Sequence, residues 1–116
     1  MMRRGDIYLA DLDPARGAET NKRRPVVIVS NDGANATAER LRRGVVTVVP
    51  VTSNTARVYP FQLLLPEGEA GLDHDSKAQA EQVRSIAVQR LGAKLGRLNP
   101  RLVQALDDAL RLHLGL

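Results

Sequence analysis

Residues 25–30 read Pro-Val-Val-Ile-Val-Ser, a run rich in β-branched side chains that is apolar at both odd and even positions. A strand with one wet face would alternate polar and apolar residues, so this run predicts a strand that is covered on both faces. The polar triplet Asn31-Asp32-Gly33 follows it and predicts a turn. Residues 44–52 predict a second buried strand, in which Pro50 demands a bulge or an edge position because proline has no N–H to donate.

Shorter elements surround these two strands. We predict strands over 5–13, 59–65, 76–86 and 95–98, and a short helix over 34–43 with Ala34, Ala38 and Leu41 facing inward. A longer helix is predicted after Asn99, which can cap it, and Pro100, which suits its first turn. Its apolar face consists of Leu102, Val103, Leu106, Ala109, Leu110 and His113. Many short strands with one C-terminal helix favour a mainly β fold, a small and strongly bent antiparallel sheet or barrel.

The length and composition narrow the class of protein. The 116 residues are the size of one domain, so residues 1–116 are interpreted as a single domain. The chain contains no Cys, which excludes disulfide scaffolds and thiolate metal sites. No apolar run approaches the roughly 18 residues that a membrane span needs, and Asp6 lies where a secretory signal would have its apolar stretch. These features predict a cytoplasmic protein that contacts no membrane.

Positive charge is concentrated in the first half of the chain. The formal net charge is +4; residues 1–57 hold ten basic and six acidic side chains, whereas residues 58–116 hold seven of each. This distribution favours a polyanionic partner, although a solvated basic surface explains it equally well. The only aromatic residues are Tyr8, Tyr59 and Phe61, so stacking of bases on an aromatic platform is not expected to be the main mode of contact.

Two acidic groupings have the composition of metal sites but are better explained structurally. Asp73-His74-Asp75 would point alternately to opposite sides of an extended chain. Asp11 and Asp13 share one side of the first strand, as a Mg²⁺ nuclease requires, yet paired acids at a strand end are more often turn formers. Phosphate-binding glycine loops and a nucleophile-elbow serine are absent from the sequence. We therefore expect neither a metal nor a cofactor.

Two segments beside the buried strands, a polar loop and a turn, remain as candidates for chemistry. Arg24 precedes Pro25, which favours an extended backbone and projects the guanidinium from the end of a rigid strand, where it can bind an oxyanion. Thr52 offers a hydroxyl stiffened by β-branching, and Glu19 could accept a proton. Each residue also has a structural explanation, as a strand-end cap, a turn hydrogen bond or a solvent ion pair. The residues alone leave both interpretations open.

Several motifs follow one another in a recognisable order and spacing. They are Arg4-Gly5-Asp6-Ile7-Tyr8 with Asp11-Leu12-Asp13-Pro14, Gly17-Ala18-Glu19, Arg24-Pro25-Val26-Val27-Ile28-Val29-Ser30-Asn31-Asp32, Val49-Pro50-Val51-Thr52-Ser53 and Glu81-Gln82-Val83-Arg84-Ser85-Ile86. Together they closely resemble the MazF/PemK family of toxin endoribonucleases, the toxins of type II toxin–antitoxin systems. Residues 109–116 look like that family's closing helix, so the resemblance covers nearly the whole chain.

The resemblance implies an SH3-like barrel with short helices and a C-terminal helix, which forms a homodimer with an RNA channel across it. It also implies metal-independent, ribosome-independent and sequence-specific cleavage of single-stranded RNA, which leaves a 2′,3′-cyclic phosphate and a 5′-hydroxyl. The family's catalytic Arg and Thr correspond to Arg24 and Thr52, and its loop Glu corresponds to Glu19. Ala18 departs from the family, because many members carry Ser or another polar residue there, and this difference affects contacts of the loop.

We expect the RNA to be bound by side chains of the loop, the turn and the polar strand: Arg16, Asn21, Lys22, Arg23, Ser53, Asn54, Gln79, Glu81, Gln82 and Arg84. The basic cluster of Arg40, Arg42 and Arg43 would also follow the phosphates. The protein partner implied by the resemblance is a cognate antitoxin, whose acidic and disordered C-terminal tail occupies the same channel.

Two other functions stay open at this point. CcdB-like toxins, which poison gyrase, have a fold similar to that of the MazF/PemK family and act by binding a protein. They use a C-terminal helix that ends in Trp, whereas this chain has no Trp. A non-catalytic RNA-binding module would bind RNA without cutting it. Incubation with single-stranded RNA in EDTA separates the three functions.

Overall fold

The computed structural model describes residues 1–14, 16–19 and 22–116. Its strands and helices are β1 Asp6–Asp11, β2 Arg23–Ile28, α1 Asp32–Leu41, β3 Val45–Thr52, β4 Gln62–Leu65, β5 Ser76–Gln79, β6 Arg84–Ala87, β7 Leu91–Arg97 and α2 Pro100–Leu114. Single 3₁₀ turns follow β5 and β6, at Ala80–Gln82 and Val88–Arg90. The prediction of a mainly β fold with a C-terminal helix is confirmed. Neither helix in the described part of the chain has the length and apolar character needed to span a bilayer.

The strands form one antiparallel sheet with the order β4-β5-β3-β2-β1-β7, and β6 pairs with β3 next to β5. β3 has the most neighbours, because it pairs with β2 on one side and with both β5 and β6 on the other. The two strands that were predicted to be covered on both faces therefore lie in the middle of the sheet. Val26 and Val27 of β2, like Val48 and Val49 of β3, are fully buried.

Pro50 lies where the ladder on one side of β3 is interrupted. β6 pairs with β3 as far as Val48 and β5 pairs with it from Val51, while the 3₁₀ turn Ala80–Gln82 connects β5 to β6. A proline is tolerated at such a gap because no partner there requires its missing N–H. The prediction of one long strand over 76–86 is wrong, because the ladder along β3 is interrupted at this gap. The chain instead forms two short strands, β5 and β6, on either side of it.

The sheet is covered on both faces by helices. On one face, α2 packs on the sheet with its apolar side chains Leu102, Leu106, Ala109 and Leu110. On the other face, Ala38 of α1 joins a cluster of strand residues that includes Ala10, Val26, Ile28, Val46, Val48 and Ile86. Tyr8 packs at the margin of this second cluster, where burial and the nearby Asp6 and Glu39 carboxylates raise the pKa of its hydroxyl. Even-numbered residues of β2 and β3 therefore point to the face of α1.

Helix α1 begins earlier than predicted, because the triplet interpreted as a turn starts the helix. The side-chain oxygen of Asn31 accepts a hydrogen bond from the Ala34 N–H at 2.8 Å, which makes Asn31 the N-cap. The buried residues are Asn35 and Ala38, whereas Ala34 and Leu41 are exposed, contrary to the prediction. The buried Asn35 is tolerated because its amide donates at 2.8 Å to a backbone carbonyl just after β2.

Helix α2 begins as predicted, with the Asn99 side-chain oxygen accepting from the Leu102 N–H at 2.8 Å. The prediction that His113 belongs to its buried face is wrong. His113 is exposed at the end of the helix, and its ring centroid lies 6.5 Å from that of Phe61.

The two ends of the sheet do not pair with each other, so the sheet is not closed into a barrel. β4 forms one end and β7 forms the other. The loop between β4 and β5 crosses β7, and the backbones approach so closely that a Cβ atom added to Gly96 would overlap with the Ala70 carbonyl group. This crossing covers the end strand β7 without a ladder.

Candidate active site

The ends of β2 and β3 bring Arg24 and Thr52 together. The ladder between these strands pairs Val26 with Pro50, and the same register two residues further on places Arg24 opposite Thr52. Residues directly opposite each other point to the same face of a sheet. Nη1 of Arg24 donates a long hydrogen bond to Oγ1 of Thr52 at 3.4 Å, and both residues are half-buried. A single ligand at the ends of these two strands can therefore contact both groups.

The turn after β3 fixes the hydroxyl of Thr52. The Asn54 N–H donates to Oγ1 of Thr52 at 3.3 Å, and Oδ1 of Asn54 accepts from the Ala56 N–H at 3.3 Å. A hydroxyl oxygen that accepts two hydrogen bonds keeps its own hydrogen for donation. Thr52 can therefore donate to an oxygen of a bound anion while Arg24 supplies positive charge.

Two more cations lie on the face of Arg24 and Thr52. β5 pairs Lys77 directly with Thr52, and β6 pairs Arg84 with a residue of β3 that is four positions from Thr52. Both therefore point to the same face. Lys77 is only 8% exposed, and its Nζ donates to the Arg57 carbonyl oxygen at 2.6 Å. The face combines a hydroxyl donor with several positive charges, which suits a phosphodiester.

The loop that carries Glu19 is fastened beside this face. Nε2 of Gln82 donates to the Ala18 carbonyl oxygen at 3.0 Å, which ties the loop to the 3₁₀ turn between β5 and β6. Glu19 itself is exposed, and its carboxylate accepts the Arg16 N–H at 2.6 Å within its own turn. The structure therefore places the carboxylate at the surface of the loop, next to the elements that form the site.

Comparison with known proteins identifies the family. Residues 3–114 match the family described as PemK-like, MazF-like toxin of type II toxin-antitoxin system. The chain belongs to this MazF-like toxin family. It is 63% identical over 116 residues to Endoribonuclease MazF9 of Mycobacterium tuberculosis, and the match covers 100% of this chain and 98% of the relative. It is 36% identical over 116 residues to Endoribonuclease MazF of Staphylococcus saprophyticus, covering 100% and 93% of the two chains.

Solved structures of MazF proteins share the fold. MazF of Deinococcus radiodurans superposes with a TM-score of 0.83 at 25% identity, covering 99% of this chain and 97% of that one. A mycobacterial endoribonuclease in complex with its cognate antitoxin superposes with a TM-score of 0.78 at 25% identity, covering 100% and 97%. The resemblance inferred from the motifs is thereby confirmed as membership of the MazF-like family.

Several residues predicted to contact RNA surround the Arg24–Thr52 pair of this MazF-like chain. Ser53 and Asn54 lie in the exposed turn that begins at Thr52. Gln79 lies two residues from Lys77 on the same face of β5 and pairs with Gln62 of β4. Nε2 of Gln62 in turn donates to the carboxylate of Glu81 at 2.6 Å. The structure thus groups these polar side chains on one part of the sheet.

Other predicted RNA-binding residues lie elsewhere. Arg23 pairs with Asp11 of β1 and points to the face opposite that of Arg24, where it lines a polar pocket with Arg90. Lys22 stands at the base of the loop, and its N–H donates to the side chain of Asp13 at 2.9 Å. Asn21 lies outside the described residues.

The basic cluster of Arg40, Arg42 and Arg43 does not join the site. It lies at the C-terminal end of α1, next to the beginning of β3, whereas Thr52 is the last residue of that strand. Seven residue steps along a strand span about 23 Å. Any phosphate contact of this cluster would therefore be remote from Arg24 and Thr52.

The acidic groupings considered as metal ligands act within turns. Oδ1 of Asp11 accepts the Asp13 N–H at 3.1 Å, and Asp13 accepts the Lys22 N–H. Asp73, His74 and Asp75 are all exposed. Among residues 1–14, 16–19 and 22–116, no three potential ligands come close enough together to hold a metal ion.

Sequence reasoning missed two features near the site. The first is Lys77, whose only sequence signal is its two-residue spacing from Gln79 in the polar strand. The second is an aromatic pair, because Tyr59 and Phe61 stack with ring centroids 5.4 Å apart. Both depend on how the turn after β3 folds back onto β4 and β5, which local patterns do not reveal.

Proposed function

We propose that this MazF-like endoribonuclease cuts single-stranded RNA at a short specific sequence, without a metal ion or the ribosome, and leaves a 2′,3′-cyclic phosphate and a 5′-hydroxyl. The observation that carries the proposal is the contact between Arg24 and Thr52 at the ends of two central strands. The names of full-length relatives support the class of reaction, since both are endoribonucleases.

The proposed chemistry assigns a task to each group. Attack of a ribose 2′-hydroxyl on its own phosphate needs a proton acceptor, stabilisation of the phosphorane charge and a proton donor for the leaving 5′-oxygen. Arg24 binds two phosphoryl oxygens through its parallel N–H donors, and an arginine stays charged, so it stabilises charge rather than transferring a proton. Thr52 donates to the same phosphate and holds it in line for attack. Glu19, from the adjoining loop, is the proposed acceptor of the 2′-hydroxyl proton, and a water molecule protonates the 5′-oxygen as its bond to phosphorus breaks.

The same proposal assigns binding roles around this centre. Arg16, Asn21, Lys22 and Arg84 contact phosphates, and Ser53, Asn54, Gln79, Glu81 and Gln82 contact the edges of unstacked bases. We propose a homodimer with the RNA channel across it, supported by the exposed apolar side chains Leu112, Leu114 and Leu116 at the end of α2. We propose that the protein acts in the cytoplasm, because its proposed substrate is RNA.

The proposed protein partner is a cognate antitoxin with an acidic, disordered C-terminal tail. The structure of a mycobacterial endoribonuclease in complex with its cognate antitoxin supports such a partner. A chain of acidic residues would meet Arg24 and Arg84 on one face of the sheet, where the buried ammonium group of Lys77 adds to the positive potential. Such a tail would compete with RNA for those charges.

The decisive experiment is cleavage of a long single-stranded RNA in EDTA by the wild-type protein and by Arg24→Ala and Thr52→Ala. We expect discrete cuts by the wild type, with 5′ ends that accept phosphate from a kinase without prior phosphatase treatment. Each variant should be slower by about 10²–10³, because each removes a donor from the phosphorane.

Three results would contradict the proposal. RNA that stays intact with the wild type argues for a binding module or, if the protein inhibits gyrase supercoiling, for a CcdB-like toxin. Cleavage that requires Mg²⁺ argues against the metal-free reaction. Cleavage that persists in both variants argues against this site.

A further inference from the structure

Lys77 is a buried cation next to the proposed catalytic hydroxyl. It is 8% exposed and lies directly opposite Thr52 in the ladder between β3 and β5. Within the described residues, no carboxylate lies within ion-pairing distance of its ammonium group, and its hydrogen-bond partner is the backbone carbonyl of Arg57, at 2.6 Å. Buried charges in proteins are usually paired, so a lone ammonium at this position calls for an explanation.

Three hydrogen bonds, joined by the backbone of the turn, connect Lys77 to the hydroxyl of Thr52. The ammonium group donates to the carbonyl oxygen of Arg57, the residue that follows Ala56. The Ala56 N–H donates to the side chain of Asn54 at 3.3 Å, and the Asn54 N–H donates to Oγ1 of Thr52 at 3.3 Å. The turn is thus held at one end by Thr52 and at the other by the residue that pairs with Thr52 across the sheet.

This arrangement restrains a segment that has little other support. Residues 53, 54, 56 and 57 are exposed and belong to no strand or helix. The hydrogen bonds within the turn are long, at 3.3 Å, whereas the bond from the ammonium group to Arg57 is short, at 2.6 Å. The charge-assisted bond is the stronger of the two kinds. Without it, the turn would lose its firmest anchor beside Thr52.

We infer that Lys77 is a positioning residue of the RNA-cleaving site: its buried ammonium group clamps the turn 53–57, and the turn orients the hydroxyl of Thr52 toward the scissile phosphate. The inference rests on the proposed function, because it acts through Thr52. An ammonium group has three donors and a full charge, so the clamp also keeps positive potential on the face where a phosphodiester would bind.

The test uses Lys77→Met, which keeps an unbranched side chain one atom shorter than lysine and removes the charge and the donors. We expect kcat for RNA cleavage to fall about 10- to 100-fold with little change in KM, because a small misplacement of a reacting group slows the chemical step rather than binding. The matched control is Arg101→Met, which removes an exposed charge from α2 and should leave kcat unchanged. Thermal melting of both variants confirms that they are folded.

A conservative replacement separates the ammonium group from mere filling of space. The chain has no Cys, so Lys77→Cys offers one thiol, which can be alkylated with bromoethylamine in the unfolded protein before refolding. The product restores an ammonium group at nearly the length of lysine. We expect the alkylated protein to regain kcat and the unalkylated variant to stay slow, whereas equal rates for the two would overturn the inference.

Combining Lys77→Met with Thr52→Ala tests the route of action under single-turnover conditions. If Lys77 acts through Thr52, the double variant is no slower than Thr52→Ala alone. A further full loss in the double variant, or an unchanged kcat in Lys77→Met while Thr52→Ala is inactive, would overturn the inference and leave the proposed function intact.

Hydrogen exchange tests the clamp without RNA, so it does not depend on the proposed function. The amides of Asn54 and Ala56 should exchange faster in Lys77→Met than in the wild type or in Arg101→Met, because the turn that carries both N–H groups is no longer anchored at Arg57. Unchanged exchange at both amides would overturn the inference. A wild type that does not cut RNA would instead refute the proposed function, and the exchange result would still decide whether the clamp exists.

Discussion

At the scale of single residues, the site depends on two side chains brought together by strand register. Arg24 is held in an extended strand by the following Pro25, and Thr52 closes the neighbouring strand, so neither needs a flexible loop to meet the other. Groups on paired strands are placed more accurately than groups on loops. Because this pair is rigid, we assign phosphate binding to Arg24 and Thr52, and we assign proton transfer to Glu19 of the loop.

Replacement of Arg24 by lysine tests whether the shape of the guanidinium matters beyond its charge. Lysine retains the positive charge but cannot present two parallel N–H groups to two phosphoryl oxygens. We expect the single-turnover rate of Arg24→Lys to lie between that of the wild type and that of Arg24→Ala, with unchanged thermal stability. A lysine variant as fast as the wild type would contradict the bidentate role.

At the scale of elements, β3 organises the molecule because it pairs with three other strands. Its even-numbered residues lie on one face and extend from the α1 core to the site. One strand therefore contributes both Val48 to the interior and Thr52 to the chemistry. The gap at Pro50 lets β5 and β6 share one side of β3, which brings Lys77 and Arg84 to the same face. The helices cover the rest of the sheet and contribute stability rather than site residues.

The cap of α2 is predicted to stabilise the fold without affecting the site. Asn99→Ala removes the side-chain acceptor of the Leu102 N–H and should lower the free energy of unfolding by about 1 kcal/mol. Denaturant unfolding measures the change, and Gln104→Ala in the exposed middle of the same helix is the control, which should not be destabilised. An Asn99→Ala protein as stable as the control would show that the cap contributes nothing. The rate of RNA cleavage by folded protein should be the same in both variants.

At the scale of the whole molecule, the sheet is open, because its end strands β4 and β7 do not pair, and a loop packs against β7 in place of a paired strand. The loop between β4 and β5 crosses β7 at Gly71 and Gly96, where neither residue has room for a side chain. The Cα radius of gyration is 13.1 Å, close to the about 13 Å expected for a compact chain of this length. Close backbone contact of this kind substitutes for the missing ladder between β4 and β7.

Gly96→Ala is predicted to destabilise the molecule by about 1–3 kcal/mol, because the new methyl group would overlap with the Ala70 carbonyl and force the loop away from β7. The control is Gly92→Ala on the same strand, where an added methyl group meets neighbours only at 3.4 Å or more. Thermal or denaturant unfolding compares the two. Equal stability of both variants would show that the crossing yields without cost and does not hold β7.

Much of the fold and part of the site could be predicted from the sequence. The β-branched runs predicted the two central strands, because side chains that are apolar at every position require cover on both faces. Asn99 and Pro100 predicted the start of α2, because capping is a local interaction. Arg24 and Thr52 were named as separate candidates from their places beside those strands, and their joint catalytic role was implied by the resemblance to the MazF-like family that the comparison then showed.

Other features were decided only by tertiary structure. The sequence of residues 76–86 predicts one strand, but the structure has two, because β3 pairs with β6 before Pro50 and with β5 after it. The pairing partner, and not local propensity, determines where a strand ends. The start of α1 depended on which polar side chain accepts a hydrogen bond from the first turn, and the structure shows that Asn31 accepts from the Ala34 N–H. Lys77 and Thr52 are 25 positions apart in the sequence, and only the register of β5 against β3 makes them neighbours. Short-range patterns determine which segments form strands and helices, whereas contacts between distant segments determine which side chains meet.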